Sequence, residues 1–236
     1  DLLSVSKVIR SGRIVQGEVV EKFENKVAKY IGVDGAVAMN TGTSALHLSL
    51  LAIGIKEGDY VAMPSFVCTA LLNAVRYVGA HPTLVDIDPE TYNIDIRDLK
   101  KRVKKSTKAI ILPHLFGLPA DIDEIVSLGI PVIEDCAQAI GAVYKGRKVG
   151  SFGKLSCFSF YATKVLSTGE GGMVVSDSKS LLKKIRDFRD YDNKKNYTVR
   201  YNYKMTDIQA AMGIAQLKKL HSLLLKRANI AKKYSS

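Results

Sequence analysis

Hydrophobic residues along the chain alternate between two spacings, one typical of amphipathic helices and one typical of buried strands. Val20, Phe23, Val27 and Ile31 recur every three or four positions, which predicts a helix over 18–31. Short apolar runs between turn residues predict strands at 36–39, 60–64, 83–88, 109–113, 131–135, 155–160 and 172–177. Helices are predicted at about 44–53, 68–78 and 96–104, then after Asp121, and over most of the chain beyond 177 except near 190–204. Asp95 and Asp121 are the predicted N-caps of the helices that follow them.

This alternation of strands and helices predicts an α/β fold, in which helices flank a largely parallel sheet. In such sheets the loops gather at the carboxyl ends of the strands, and ligands bind there. The candidate functional residues are therefore those that end or follow a strand.

The composition limits the class of protein. A chain of 236 residues with 47% hydrophobic residues suits one large folded domain, or one domain and a fragment of a second. No apolar run approaches the roughly 18 residues of a membrane span, and the N-terminus lacks the layout of a signal peptide. The three cysteines form no close pair and the four histidines show no metal-binding spacing. We expect no membrane partner, no metal site and a reducing, cytoplasmic setting.

The charge balance favours an anionic partner. Lysine and arginine total 35 against 23 aspartate and glutamate residues, a formal net charge of +12. Nucleic acid, acidic lipid and a phosphorylated small molecule all fit this charge. The sequence contains no helix-turn-helix, zinc-finger or RNA-binding aromatic motif, so a basic nucleic-acid-binding regulator is the less favoured alternative. The lysines at 100, 101, 104 and 105 cluster on a predicted helix and indicate an exposed face.

Two polar segments at strand ends are candidates for binding ions. Thr41-Gly42-Thr43-Ser44 follows a strand and starts a helix, so it is either an ordinary N-cap or a phosphate site. Asp135 closes an apolar strand, where a carboxylate is costly unless it is paired. Its partner is a protonated ring nitrogen, a metal or an arginine, or else the carboxylate caps a helix. Glu134 faces the opposite side of the strand.

A lysine and an asparagine complete the candidate set. Lys164 follows the apolar strand 155–160 and precedes a glycine cluster, a context that desolvates an amine and favours a nucleophile. A lone lysine in a loop is otherwise simply solvated. Asn202 lies in a polar loop before a helix that Thr206 or Asp207 caps, and it is a turn residue on local grounds. A phosphate cradle, an acid and a lysine in this order suit an aldehyde cofactor that carries a phosphate and a pyridine ring.

The sequence resembles the DegT family of pyridoxal-phosphate (PLP)-dependent nucleotide-sugar aminotransferases, which have the fold-type I architecture. The resemblance covers nearly the whole chain, from about residue 2 to 233. Its motifs are SGRIVQGEVVEKFE (11–24), NTGTSALHLSLLAIGIKEGDYVAMPSF (40–66), LVDIDPETYNID (84–95), KAIILPHLFGLPADIDEI (108–125), PVIEDCAQAIGAVYKGRKVGSFG (131–153), SFYATKVLSTGEGGMV (159–174) and NYKMTDIQAAMGIAQLKKL (202–220).

The resemblance implies a role for each cofactor-binding residue. Lys164 forms the Schiff base with PLP and later moves the proton between substrate and cofactor. Asp135 binds the pyridinium nitrogen, and Gln138 lies beside the ring. The residues that hold the phosphate are Thr43, Ser44 and Ser159. Asn202 reaches the phosphate of a neighbouring subunit, which implies a homodimer with shared active sites.

The resemblance also implies the reaction, an amino transfer from an amino-acid donor, glutamate, to a keto-sugar nucleotide. Tyr161 and Glu170 are the expected substrate contacts. Related dehydratases carry histidine at the Schiff-base position, whereas this chain has Lys164. An aldolase or desulfurase of the same fold type is the alternative enzyme. A desulfurase needs a mobile reactive cysteine, and the apolar strand contexts of Cys136 and Cys157 argue against one.

Three positions depart from the family pattern. Cys68 stands where many relatives place an aromatic residue that stacks on the cofactor ring, so either its polarizable sulfur or a residue elsewhere in the chain is expected to cover the ring. Lys204 replaces a common arginine. Residues 190–193 replace a common His-Gly pair.

The resemblance implies a division into an N-terminal segment (1–17), a PLP-binding large domain (18–220) and a helix (221–236) that leads toward a smaller C-terminal domain. The large domain is expected to hold a mostly parallel seven-stranded sheet between helices. Because relatives continue well past this point, most of the small domain is expected to be absent from this sequence.

Overall fold

The structure is a computed structural model that describes residues 1–235, and its central element is a seven-stranded sheet. The strands in chain order are β1 (Gly35–Met39), β2 (Tyr60–Pro64), β3 (His81–Val85), β4 (Thr107–Pro113), β5 (Val132–Asp135), β6 (Val143–Tyr144), β7 (Arg147–Lys148), β8 (Leu155–Ser159) and β9 (Gly172–Ser176). The sheet has the order β1-β9-β8-β5-β4-β2-β3, and β6 pairs with β7 in a separate hairpin. Only β9 runs antiparallel to its neighbours, so the prediction of a mostly parallel seven-stranded sheet is confirmed.

Helices cover both faces of the sheet. They are α1 (Leu2–Ser11), α2 (Glu18–Ile31), α3 (Gly42–Ala52), α4 (Thr69–Tyr77), α5 (Ile96–Arg102), α6 (Ile122–Val126), α7 (Lys179–Arg189) and α8 (Asp207–Tyr234). Alternate residues of each strand point to opposite faces, and two hydrophobic clusters result. One cluster joins α2, α5, α6 and α8 to one face, while the other joins α3, α4 and α7 to the opposite face. The fold is therefore a three-layer α/β sandwich.

Several predicted boundaries and caps can be compared directly with the structure. The helix predicted over 18–31 is α2, with the same bounds. The strand predicted at 83–88 is instead β3 at 81–85, because its pairing with β2 begins at His81 and ends at Val85. Asp95 caps α5 by accepting hydrogen bonds from two backbone N–H groups. Asp121 stands before α6 but accepts no capping hydrogen bond, so that prediction is wrong.

Two elements have no counterpart in the sequence prediction. Helix α1 packs on α8, and the Asp1 carboxylate accepts hydrogen bonds from Gln216 and Lys219 of that helix. The β6–β7 hairpin has two residues in each strand, too few to produce a periodic pattern. The hairpin depends on tertiary contacts, whereas α1 has a local signal that the prediction did not use: apolar residues at helical spacing, Leu2, Val5, Val8 and Ile9, before Gly12.

Helix α8 continues unbroken across residues 220 and 221, where the sequence suggests a domain boundary. The division of the chain into three parts stays a prediction. Among residues 1–235, no helix combines the length and the apolar character that crossing a membrane requires.

Candidate active site

A cavity of about 340 Å³ opens at the carboxyl end of the sheet. Pro113 at the end of β4, Asp135 at the end of β5 and Ser159 at the end of β8 all line it, because these strands are parallel and end at the same edge. The cavity brings together eight of the ten predicted site residues: Thr43, Cys68, Asp135, Gln138, Ser159, Tyr161, Lys164 and Glu170. Ser44 and Asn202 are not among its lining residues.

Lys164 is carried by a loop whose base is closed by hydrogen bonds. Phe160 N–H donates to Gly171 O at 2.8 Å, and Thr168 N–H donates to Phe160 O at 2.9 Å. Inside the loop, Lys164 N–H donates to Tyr161 O at 2.9 Å. The ends of the loop thus hold Lys164 on the cavity wall, and its ammonium group has no hydrogen-bond or ion-pair partner among residues 1–235.

Asp135 is a buried carboxylate, and only one of its two oxygens accepts a hydrogen bond from residues 1–235. Its Oδ1 accepts a hydrogen bond from Ala137 N–H at 3.0 Å, whereas its Oδ2 accepts none from residues 1–235. Burial raises the pKa of Asp135, and the Ala137 N–H, His114 and Lys164 oppose that rise. A cation inside the cavity is therefore the missing partner of this carboxylate.

Glu134 lies on the other face of β5, as the alternation of side chains predicts. Its carboxylate accepts hydrogen bonds from His114 Nε2, from Ser156 and from three backbone N–H groups at Gly150, Phe152 and Gly153. Burial acts to raise the pKa of Glu134, but the hydrogen bond from His114 and those from the backbone N–H groups hold it below its usual value. Glu134 is therefore structural and separate from the cavity.

His114 combines a structural role with a position on the cavity wall. Its Nδ1 accepts a hydrogen bond from Ala120 N–H, so Nε2 carries the proton that is donated to Glu134. Cys136 lies within 4.8 Å of the ligand atoms of His114 and Glu134. Glu134 already accepts five hydrogen bonds, so it and His114 form a hydrogen-bonded support for the end of β5, with the Cys136 thiol beside them.

The segment from Thr41 to Ser44 starts α3 opposite Ser159. Thr41 Oγ1 caps the helix by accepting from Ser44 N–H at 3.0 Å. A side chain at Gly42 would meet Ser159 Cβ at 2.8 Å, and one at Gly172 would meet Thr41 O at 2.1 Å. The three chain segments thus approach closely and leave the backbone of the first turn facing the cavity, an arrangement suited to an anion.

The side chain of Ser44 faces away from that position. Its hydroxyl donates to Asn40 Oδ1 at 2.7 Å and lies 2.8 Å from Thr41 Oγ1. The hydroxyl therefore stabilises the start of α3 from inside the fold. Phosphate binding by Ser44 stays a prediction that these contacts do not favour, because both its hydroxyl and its N–H are already engaged.

The remaining predicted residues lie at the rim. Cys68 stands at the N-cap of α4 with an exposed thiol on the cavity wall. Gln138 Oε1 accepts from Phe116 N–H at 3.1 Å, which fixes its amide at the cavity mouth. Exposed side chains of Tyr161 and Glu170 complete the rim, and the Glu170 carbonyl accepts from Gln209 of α8.

Asn202 is exposed and lies outside the cavity. Its neighbours Tyr201 and Tyr203 turn inward, with stacked rings 5.0 Å apart, and both pack on His47 of α3. Tyr203 O also accepts a hydrogen bond from Asn40 N–H at 2.9 Å. Asn202 lies between these two inward-facing rings, and its side chain therefore points away from the rest of the chain.

Part of the cavity wall was not predicted to be functional. Leu46, Val67, Leu115 and Ala137 supply apolar surface beside the polar groups. Their position in the sequence could have identified three of them, because Val67, Leu115 and Ala137 lie within three residues after the ends of β2, β4 and β5.

Comparisons with known proteins found related sequences and related structures. The sequence model of the DegT/DnrJ/EryC1/StrS aminotransferase family matches residues 1–236. GDP-perosamine synthase of Escherichia coli O157:H7 is 42% identical over 228 residues, which are 93% of this chain and 63% of that protein. This chain therefore spans less than two thirds of the length of that relative.

Solved structures of similar fold include S. venezuelae DesV in complex with ketimine intermediate, with a TM-score of 0.89 and 36% identity over 93% of this chain and 62% of that one. NtdA from Bacillus subtilis with bound cofactor PMP has a TM-score of 0.87 and 31% identity, covering 93% of this chain and 52% of that one.

Proposed function

Because the chain belongs to the DegT/DnrJ/EryC1/StrS aminotransferase family, we propose that it transfers an amino group to the keto group of a nucleotide-linked sugar with PLP as cofactor. The observation that carries the proposal is the meeting of Lys164, Asp135 and an anion cradle in one cavity. Because the Escherichia coli relative is a GDP-perosamine synthase, a GDP-linked sugar is the first substrate to test.

The residues of the cavity fit this cofactor. The unpartnered oxygen of Asp135 suits a protonated ring nitrogen, because a cation there offsets the cost of burying the carboxylate. The first turn of α3 and the hydroxyls of Thr43 and Ser159 suit the phosphate. The relative NtdA, whose structure has PMP bound, shares this fold.

Bound PLP supplies an aldehyde that condenses with amines and a ring that accepts electrons from the reacting carbon. Lys164 would hold the cofactor through its aldehyde carbon and would move the proton at the reacting carbon of the substrate. Asp135 would hold the ring nitrogen in its protonated form, and Gln138 and Cys68 would flank the ring. Tyr161 and Glu170 contact the substrate at the rim.

Glutamate is the proposed amino donor, and the proposed assembly is a homodimer in which Asn202 reaches the phosphate site of the partner. The exposed position of Asn202 supports this assignment. The three cysteines are free thiols, which supports a reducing, cytoplasmic setting.

The alternatives are less well supported. A desulfurase requires a reactive thiolate, and neither Cys136 nor Cys157 suits that role, because burial raises the pKa of both well above the usual range of a thiol. An aldolase would use the same amine of Lys164 and a desulfurase could use the exposed thiol of Cys68, so the family match is what favours aminotransfer over both. A nucleic-acid-binding regulator does not account for a buried aspartate and a lysine in one cavity.

An absorbance titration with PLP tests the proposal. Wild-type protein should develop a band at about 410–430 nm that the Lys164→Ala variant lacks and the surface variant Lys105→Ala retains. Glutamate should bleach the band, and a GDP-linked keto-sugar should restore it. A wild-type protein whose spectrum equals that of the free cofactor would overturn the proposal.

A further inference from the structure

A second cavity, also of about 340 Å³, lies beside the first and shares Ala137, Gln138 and Lys164 with it. Its other lining residues are Phe116, Ile140, Thr163, Val165 and Arg227. The charges of the two cavities differ. Asp135 and Glu170 line the first, whereas the second has two cationic residues, Lys164 and Arg227, and no carboxylate among its lining residues. The second cavity is therefore electropositive.

Helix α8 places Arg227 by packing on the loop that follows β5. A side chain at Gly141 would meet Leu224 Cδ1 at 2.5 Å, so the glycine allows α8 to approach this loop closely. Leu224 packs against the core on the same face of the helix, three residues before Arg227. The position of Arg227 beside Gln138 is thus set by packing rather than by a charge pair.

The polar groups in this cavity are hydrogen-bond donors without protein partners. Arg227 has no ion pair or hydrogen bond to any of residues 1–235. Gln138 uses its Oε1 to accept from Phe116, while its amide nitrogen donates to none of these residues. Thr163 contributes an equally unengaged hydroxyl. A guanidinium, an amide N–H₂ and a hydroxyl together match an oxyanion.

We propose that this second cavity is the site for an anionic group of the substrate, with Arg227 as its principal binding residue. The inference rests on the proposed function, in which both substrates carry such groups: the amino donor has a carboxylate, and the sugar nucleotide has a diphosphate. A guanidinium binds either through two parallel hydrogen bonds. The shared Lys164 and Gln138 connect the bound oxyanion to the reacting groups in the first cavity.

The test compares three variants for binding of two probes, glutamate and GDP, to PLP-loaded protein. Because glutamate reacts with the bound cofactor, its apparent affinity is taken from the concentration that bleaches the cofactor band, and the affinity for GDP is measured by calorimetry. Arg227→Gln removes the guanidinium, Arg227→Lys keeps a charge without the planar fork, and Lys226→Gln removes one neighbouring charge from the same helix as the matched control. Arg227→Gln should lower the affinity for one or both probes by about tenfold to a hundredfold, the range for a lost charge-assisted hydrogen bond. Lys226→Gln should bind both probes like the wild type.

The two probes identify the source of the anion. A loss for glutamate alone assigns the cavity to the donor carboxylate, a loss for GDP alone assigns it to the diphosphate, and a loss for both means that the anions bind in turn. Arg227→Lys should recover part of the lost affinity. Equal binding by Arg227→Gln and Lys226→Gln overturns the inference, as does a wild type that binds neither probe. The cofactor band of Lys164 is recorded in each sample, so failure of the proposed function is seen separately.

Discussion

At the scale of single residues, His47 shows how burial controls charge in this fold. Its imidazole is surrounded by Tyr77, Tyr201 and Tyr203, with ring centroids 4.8–5.9 Å away. Nδ1 lies 3.3 Å from the Tyr203 hydroxyl, and buried Nε2 has no partner in the described part of the chain. Burial lowers the pKa of His47 to about 4, so the ring is neutral at physiological pH.

This lowered pKa predicts a loss of stability in mild acid. Between pH 6.5 and about 4 the unfolded chain binds a proton at His47 that the folded chain does not, so the free energy of unfolding falls as the pH drops through this window. The expected decrease from pH 7 to pH 5 is about 2 kcal/mol. Urea unfolding at both pH values measures it.

The matched variant is His47→Gln, which removes the titrating group and leaves an amide of similar reach. Its free energy of unfolding should change less between the two pH values than that of the wild type, whatever its absolute stability. An equal change in both proteins would show that His47 is not the group responsible.

Residue-level prediction worked where a local rule decides which way a side chain faces. Alternation along β5 separates Asp135 from Glu134, and the structure places them on opposite faces with different partners. The same reasoning could not orient Ser44. Its hydroxyl bonds to Asn40, and whether a capping serine faces a ligand or its own turn depends on that contact.

At the scale of elements, the first turn of α8 accepts hydrogen bonds from the first turn of α2. Thr206 caps α8 in a capping box with Gln209, as expected for one of the two candidate caps. Asp207, the other candidate, accepts hydrogen bonds from Gly17 and Val20 N–H, both at 2.9 Å, and from Val19 N–H at 3.4 Å. A distant carboxylate therefore satisfies the first turn of a helix whose own N-cap is glycine.

Replacing Asp207 should destabilise the fold more than replacing its neighbour. Asp207→Ala leaves buried N–H groups without an acceptor and removes a charge from the N-terminus of α2, at a cost of about 3 kcal/mol. Thr206→Ala removes only an N-cap and should cost about 1 kcal/mol. Urea denaturation of both variants measures the difference. If the order is reversed, the contact with α2 does not stabilise the structure.

The sequence could identify Thr206 as a cap because a capping box lies within four consecutive residues. It could not assign Asp207 to α2, since the partners lie 187–190 residues away along the chain. The same limit applies to α1, whose position depends on α8. Most helices and strands with a periodic apolar face were predicted from the sequence, whereas contacts between elements that are distant along the chain were not.

At the scale of the whole molecule, the order of the strands brings together site residues from distant parts of the chain. Four of these residues end or follow strands whose carboxyl ends lie at one edge of the sheet: Thr43, Cys68, Asp135 and Lys164. Asn202 is the exception because it faces outward from its own cavity. The proposed homodimer explains why Asn202 lies outside the cavity of its own chain. Tyr201 and Tyr203 pack inward on either side of it, so its side chain is free to reach the site of a partner subunit.

Mixing two inactive variants tests this arrangement. Lys164→Ala removes the amine, and in the proposed dimer Asn202→Asp would place a carboxylate against the phosphate of the partner's site. In a mixed dimer, one site carries both changes and the other carries neither, provided that Asn202 acts on the partner. When half of the dimers are mixed, about a quarter of all sites are intact, so co-refolded variants should recover about a quarter of the wild-type aminotransfer. Mixed dimers with no more activity than the separate variants would place Asn202 in its own subunit's site or outside the reaction.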